Sequence, residues 1–256
     1  MTHAFFLVLM LAPRLVFAQG DLSFNVISPI WPTTIEELPQ LDAVIISHNH
    51  YDHLNEYSIK RLKDKAYNFI VPCGVGKLIQ KWGVDQKKII ELEWWEEFSY
   101  LNLTVTATPA QHFSGRGLFD RNATLWASWV IAGPNHKIFF SGDTGYFDGF
   151  KTIGDKFGPF DMTFLECGAY NQAWSDVHMM PEETVQAHLD LQGKILQPIH
   201  WGTFNLSLHP WYEPMERVSL AGRQHNITLS TPQPGAIVTF EAPANNNKWW
   251  QNIAKL

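Results

Sequence analysis

The sequence predicts an α/β fold: a layered domain whose sheet is mixed rather than purely parallel. Three observations predict it. Short apolar runs of strand length alternate with segments of helical spacing between residues 41 and 110 and again from 161 to 199, the pattern of a layered α/β domain. Strand-like runs also follow one another between 101 and 142 with no helix among them, which calls for hairpins. Finally, 256 residues with 45% hydrophobic and 17% charged content form a globular chain large enough to bury a core. No internal repeat or low-complexity linker divides it, so residues 19–256 are read as one domain.

The elements follow in order. LDAVIIS (41–47) is a continuous apolar run rich in β-branched residues, as a buried strand requires. NEYSIKRLKDKA (55–66) has helical spacing. YNFIVP reads as the next strand, and GVGKLIQKWG as a short helix stopped at Gly83. KKIIELE and LNLTVTATPA read as strands. TLWASWVIAG and HKIFFSG flank Pro134-Asn135 and predict a β-hairpin. DMTFLEC is a further strand. PEETVQAHLDLQG (181–193) is the clearest helix, with Pro181 at its first position, acids in its first turn and Gly193 at its end. KILQPI is a strand. Residues 213–256 are expected to give one helix, a strand near GAIVTF and a polar end.

Composition narrows the function. Nineteen Lys and Arg against 25 Asp and Glu give a net charge of −6, with no basic run, so a nucleic-acid backbone is not the expected partner. Two distant cysteines, Cys73 and Cys167, make neither a disulfide framework nor a thiolate metal site. Most of the 11 tryptophans belong to the core, while Trp94–Trp95 and Trp249–Trp250 are candidates for a groove or a membrane-facing surface. Residues 1–18 read as a signal peptide, with Phe5 to Ala12 as the apolar run, Val16-Phe17-Ala18 as the cleavage site and Gln19 as the mature start. The competing reading is a first strand, since no Lys or Arg precedes the run and Arg14 interrupts the apolar stretch. A cleaved leader implies a periplasmic or secreted protein; otherwise it is cytoplasmic or membrane-associated.

The chemistry concentrates in SHNHYDHL (47–54). In an extended segment side chains alternate, so His48 and His50 face the same way and reach one metal ion. Asp52 follows in register, and His53 joins it where the chain turns toward the helix. One ion does not comfortably take all four, but two ions can share them as His48 with His50 and Asp52 with His53. Each ion then needs ligands from elsewhere, because zinc favours about four. Ligands in α/β folds gather beyond the carboxyl ends of strands. His112, Asp143 and His200 all lie just after strands, and His209 follows a few residues later. His178 precedes the helix at Pro181. His136, His188 and His225 sit on a hairpin tip, mid-helix and near a helix end.

Together SHNHYDHL, PAQHFSGRG, FFSGDTGYF and IHWGTF resemble the metallo-β-lactamase superfamily, and more closely its N-acylphosphatidylethanolamine-hydrolysing phospholipase D branch, over residues 38–215. The resemblance implies an αββα sandwich with a two-metal site at one edge. It implies that His48, His50 and His112 bind one zinc, that Asp52, His53 and His200 bind the other, and that Asp143 bridges them. DVHMMPEE resembles a family segment whose histidine lies beside the substrate, which makes His178 a substrate-binding and catalytic candidate next to Asp143. Family members usually have more chain before the cluster, so the first sheet is expected to lack part of its N-terminal strands, with GDLSFNVISPIWP supplying part of one. A second copy is then a candidate to cover the open edge.

The activity implied is a metal-dependent hydrolase in which a hydroxide held by two zinc ions attacks the substrate, with iron or manganese as alternative metals. The leading substrate class is an N-acyl phospholipid cleaved in the manner of phospholipase D, which brings peripheral membrane contact with it. One alternative is a lactonase acting on a phosphorylated sugar lactone, for which Arg116 or Arg121 would hold the phosphate. Solvated loop charges are the competing reading for both arginines. Another alternative is a truncated, non-catalytic metal-binding protein.

Overall fold

The computed structural model describes residues 34–203, 206–233, 236–243 and 248–253, and the backbone of three earlier strands. Two seven-stranded sheets face each other. The first contains β1 (Phe6–Val8), β2 (Arg14–Ala18), β3 (Ser23–Ile27), β4 (Leu41–Ile45), β5 (Ala66–Pro72), β6 (Ile89–Leu92) and the late strand β14 (Ile237–Val238), in the order β14-β3-β2-β1-β4-β5-β6. The second contains β7 (Glu97–Tyr100), β8 (Leu103–Thr108), β9 (Ser128–Ala132), β10 (Lys137–Phe140), β11 (Phe160–Glu166), β12 (Gly193–Ile199) and β13 (Thr228–Leu229), in the order β13-β12-β11-β10-β9-β8-β7. Both sheets are mixed, as the sequence predicts: β1, β4, β5 and β6 run parallel, as do β10 to β13, while hairpins complete each sheet.

Strand alternation explains why the apolar runs are continuous. Ala43 and Ile45 of β4 face inward, onto Trp129, Ile131, Phe140, Met162 and Phe164 of the second sheet. Val44 and Ile46 face outward, onto α1 (Glu56–Leu62) and α2 (Gly76–Lys81) through Ile59, Leu62 and Ile79. The outer face of the second sheet is covered by α3 (Gly149–Phe157), α4 (Pro181–Asp190), α5 (Glu213–Gln224) and α6 (Trp249–Ile253). This is an αββα sandwich. Trp250 is fully buried in that outer layer, Trp94 and Trp249 are half-buried against the cores, and Trp95 is exposed. Cys167 is buried and Cys73 half-buried, both as free thiols.

Two differences from expectation have physical reasons. Residues 6–27 supply three strands where the first sheet was expected to be short of them. β1 pairs with β4 from Phe6↔Ala43 to Val8↔Ile45. β1 and β2 fall within the stretch read as a leader, whereas Gln19, its expected mature start, lies outside the described residues. The other difference is α3, absent from the sequence reading because Gly149 and Gly154 lower helix propensity. Gly154 is there for contact: a Cβ on it would lie 2.0 Å from the Asp190 carbonyl oxygen at the end of α4.

Candidate metal centre

Five strand ends carry the site, four in the second sheet and one in the first. β8, β10, β11 and β12 run in one direction, so the loops after them open on one edge of the second sheet. They bring His112, Asp143, Glu166 and His200 to the loop that follows β4. That loop turns on itself, with the His53 and Leu54 amides donating to the His50 carbonyl at 3.1 and 2.8 Å, and this turn brings His53 round. Asn55 then caps α1, accepting from the Ser58 amide at 3.0 Å. The two sheets touch closely here. Gly142 has φ +60°, and a Cβ on it would lie 2.6 Å from the Ser47 Cβ. His200 is also left-handed, at φ +63°, a conformation that costs a non-glycine residue and recurs at functional sites.

The seven residues singled out as ligands converge. The first group is His48 Nε2, His50 Nδ1 and His112 Nε2, with separations of 2.9 Å (His48 to His50) and 3.2 Å (His112 to His50). The second is Asp52, His53, Asp143 and His200. Asp143 Oδ2 lies 2.9 Å from His53 Nε2 and 3.4 Å from His200 Nε2. It also lies 3.9 Å from His48 Nε2 and 4.0 Å from His112 Nε2, between the two groups. Asp52 Oδ2 is 3.4 Å from His53 and 3.5 Å from His200.

These donors fit a pair of metal ions. His112 Nδ1 lies 3.0 Å from the Val177 carbonyl, which can only accept, so Nδ1 carries the proton and the Nε2 lone pair faces the group. Burial holds His48 far toward the neutral form and His112 at about 3, the protonation state a ligand needs. Burial alone would raise Asp143, but the neighbouring His200 and His53 imidazoles hold it well below the usual carboxylate range. Burial opposes a charge on His53, but Asp143 and Asp52 lift it to about 10. Asp143 Oδ1 and His53 Nδ1 are buried without a hydrogen-bond partner. The set contains no sulfur.

His178 lies against both groups. Its ring centroid is 5.4 Å from that of His112 and 5.6 Å from that of His200, over which it stacks. Its Nδ1 is 2.9 Å from Glu166 Oε2. Burial would lower His178, but the Glu166 carboxylate outweighs it and raises the imidazole to about 9. The sequence reading missed Glu166, taking it as the end of a strand. The one signal for it was a carboxylate at the carboxyl end of an apolar run. His209 joins neither group; it stacks on Tyr170 at 4.0 Å.

Arg116 is engaged with the loop after β4. Its Nη1 donates to the Asn49 and Leu54 carbonyls at 2.7 and 2.8 Å, and its guanidinium lies 3.9 Å over the Tyr51 ring. It pins the metal loop from outside. Arg121 lies 4.6 Å over the Phe113 ring, which packs on His50 and His112.

Fold and site together define a metallo-hydrolase architecture with residues for two metal ions. The family model described as "Beta-lactamase superfamily domain" matches residues 17–201, and the chain belongs to that superfamily. An uncharacterized protein of Mycobacterium tuberculosis is 48% identical over 224 residues, which are 86% of this chain and 60% of that protein. N-acyl-phosphatidylethanolamine-hydrolyzing phospholipase D 1 of Caenorhabditis elegans is 36% identical over 200 residues, 73% of this chain and 56% of that one. The chain thus spans little more than half the length of these relatives. Among solved structures, Igni18, a metallo hydrolase from the archaeon Ignicoccus hospitalis, shares the fold with a TM-score of 0.67 at 20% identity, covering 93% of this chain and 98% of that one.

Proposed function

We propose that the protein is a zinc-dependent phosphodiesterase of phospholipase D type, acting on N-acyl phospholipid-like substrates. The observation that carries this reading is the placing of Asp143 Oδ2 between two groups of ligand atoms, with His178 against both. Similarity to the nematode phospholipase supports the substrate class. His48, His50 and His112 would hold one ion and Asp52, His53 and His200 the other, with Asp143 shared. When bound, such a pair supplies Lewis acidity and activates water at neutral pH. The chain's own groups do the rest. Glu166 fixes the His178 ring, and His178 holds a proton that it gives to the leaving oxygen. Phe113, packed on His50 and His112, shields that side from water.

Peripheral membrane contact belongs to this reading. Leu118 and Phe119, on the loop after His112, are 91% and 100% exposed, and Leu208, on the loop after His200, is 87% exposed. Among the described residues no helix is long and apolar enough to cross a membrane. The lactonase reading has less support, because Arg116 Nη1 is engaged with backbone carbonyls and its guanidinium lies over the Tyr51 ring.

The test is metal content per folded chain, joined to hydrolysis assays on an N-acyl phospholipid and on a phosphorylated sugar lactone. About two zincs per chain with phospholipid cleavage supports the proposal. Cleavage of the lactone alone replaces it with the second reading. Folded, metal-free and inactive protein sinks both and leaves the non-catalytic one.

A further inference from the structure

We propose that Glu166 is a positioning residue that serves two histidines at once: one carboxylate that orients the substrate-facing His178 and also a metal ligand, His200. The inference rests on the hydrolase reading above.

Glu166 is fully buried at the end of β11, between β10 and β12. Its backbone is pinned on both sides, with its N–H donating to Ser141 Oγ at 3.0 Å and its carbonyl accepting from Thr184 Oγ1 at 2.8 Å. The carboxylate therefore projects from a rigid strand end. Oε1 accepts from the Met179 amide at 2.7 Å, which fixes the residue following His178. Oε2 lies 2.9 Å from His178 Nδ1, a hydrogen bond, and 3.6 Å from His200 Nδ1, which is buried and has no hydrogen-bond partner. Every group this carboxylate meets thus belongs to the site or to the segment that carries His178.

A buried carboxylate is expensive unless its lone pairs are satisfied by donors. As an acceptor only, it selects the Nδ1–H form of His178, and a shift of a few tenths of an ångström would let it do the same for His200. For His200 this leaves Nε2, the nitrogen aimed at Asp143 and Asp52, free of a proton. For His178 it fixes the ring plane, which stacks on His200 at 13°. Because one oxygen faces both rings, a shift of either ring disturbs the other. Carboxylates behind metal-bound histidines orient the ring, and their loss weakens metal binding.

Glu166→Gln tests this with little change of shape. The expected result is metal affinity weakened roughly 10- to 100-fold at one of two sites, read by competition with a chromogenic chelator. On a chromogenic phosphodiester, kcat should fall while KM moves little. The double variant with His178→Gln should lose no more kcat than the worse single variant, because the two act as a unit. A Glu166→Gln protein with wild-type metal affinity and kcat and only a lower Tm overturns the proposal. If the wild type cleaves no substrate offered, the hydrolase reading fails, while the affinity measurement still decides the link to His200. Should Glu166→Gln fail to fold, proton–nitrogen NMR of histidine-labelled, zinc-loaded wild type decides. Nδ1–H on both His178 and His200 supports the assignment, and its absence from either overturns it.

Discussion

Asp143 and His53 meet at 2.9 Å, Oδ2 to Nε2, where the second sheet reaches the loop that follows β4. The same oxygen lies 3.9 Å from His48, so one carboxylate touches both ligand groups. Asp143→Ala should therefore lower occupancy at both sites together and abolish hydrolysis. Elemental analysis of the folded variant checks this. Loss of a single metal, with the other retained at wild-type affinity, would show that Asp143 does not bridge.

Arg116 makes a prediction of another kind. Its guanidinium holds two carbonyls of the metal loop, and hydrogen bonds from a charged donor are worth about 1.5–3 kcal/mol each. Arg116→Ala should cost about 1–3 kcal/mol of stability by urea unfolding. Lysine keeps the charge but lacks the planar fork, so Arg116→Lys should recover little of the loss. If instead Arg116→Ala leaves stability unchanged and raises KM only for phosphorylated substrates, the residue binds substrate after all.

His188 predicts a pH effect away from the metals. Buried in α4 with its Nδ1 2.7 Å from Thr163 Oγ1, it is held neutral by burial, down to about 4. An unfolded chain takes up that proton nearer pH 6.5. The lowered value means that stability is complete above about pH 6.5 and is lost as pH falls toward 4, at up to about 1.4 kcal/mol per pH unit. At pH 5 the loss is roughly 2 kcal/mol. His188→Gln should remove this component, so the gap between variant and wild type narrows or reverses between pH 7.5 and 5. A gap that stays constant over that range would contradict it.

Leu118→Ser combined with Phe119→Ser should leave hydrolysis of a soluble phosphodiester unchanged and reduce binding to phospholipid vesicles. The two side chains form the exposed tip of a loop braced by Asp120, whose carboxylate accepts from the Arg116 and Gly117 amides at 2.9 and 2.7 Å. Vesicle co-sedimentation reads the effect. Equal sedimentation of variant and wild type would remove this loop from any membrane role.

The ligand residues were legible because chemistry and position agree. His48 and His50 share a strand period, and His112, Asp143 and His200 each stand just past an apolar run. What stayed hidden depended on contacts distant in sequence. Glu166 looked like the charged end of a strand until His178 and His200 were placed beside it. Arg116 looked like a loop charge because Asn49 and Leu54 are more than sixty positions away. Gly154 looked like a helix breaker because the packing that needs it comes from α4. In the first sheet, β1 and β2 come from a stretch whose composition fits a leader as well as it fits strands.

Four of the seven ligands come from the loop after β4 in the first sheet, and three from loops of the second. Loaded with metal, the centre would act as a rivet through both layers, binding residues near position 50 to residues near position 200. A chelator would then slacken the whole sandwich as well as silence a reaction. A chain cut in the exposed 117–119 loop would still hold together for as long as the rivet stayed in place.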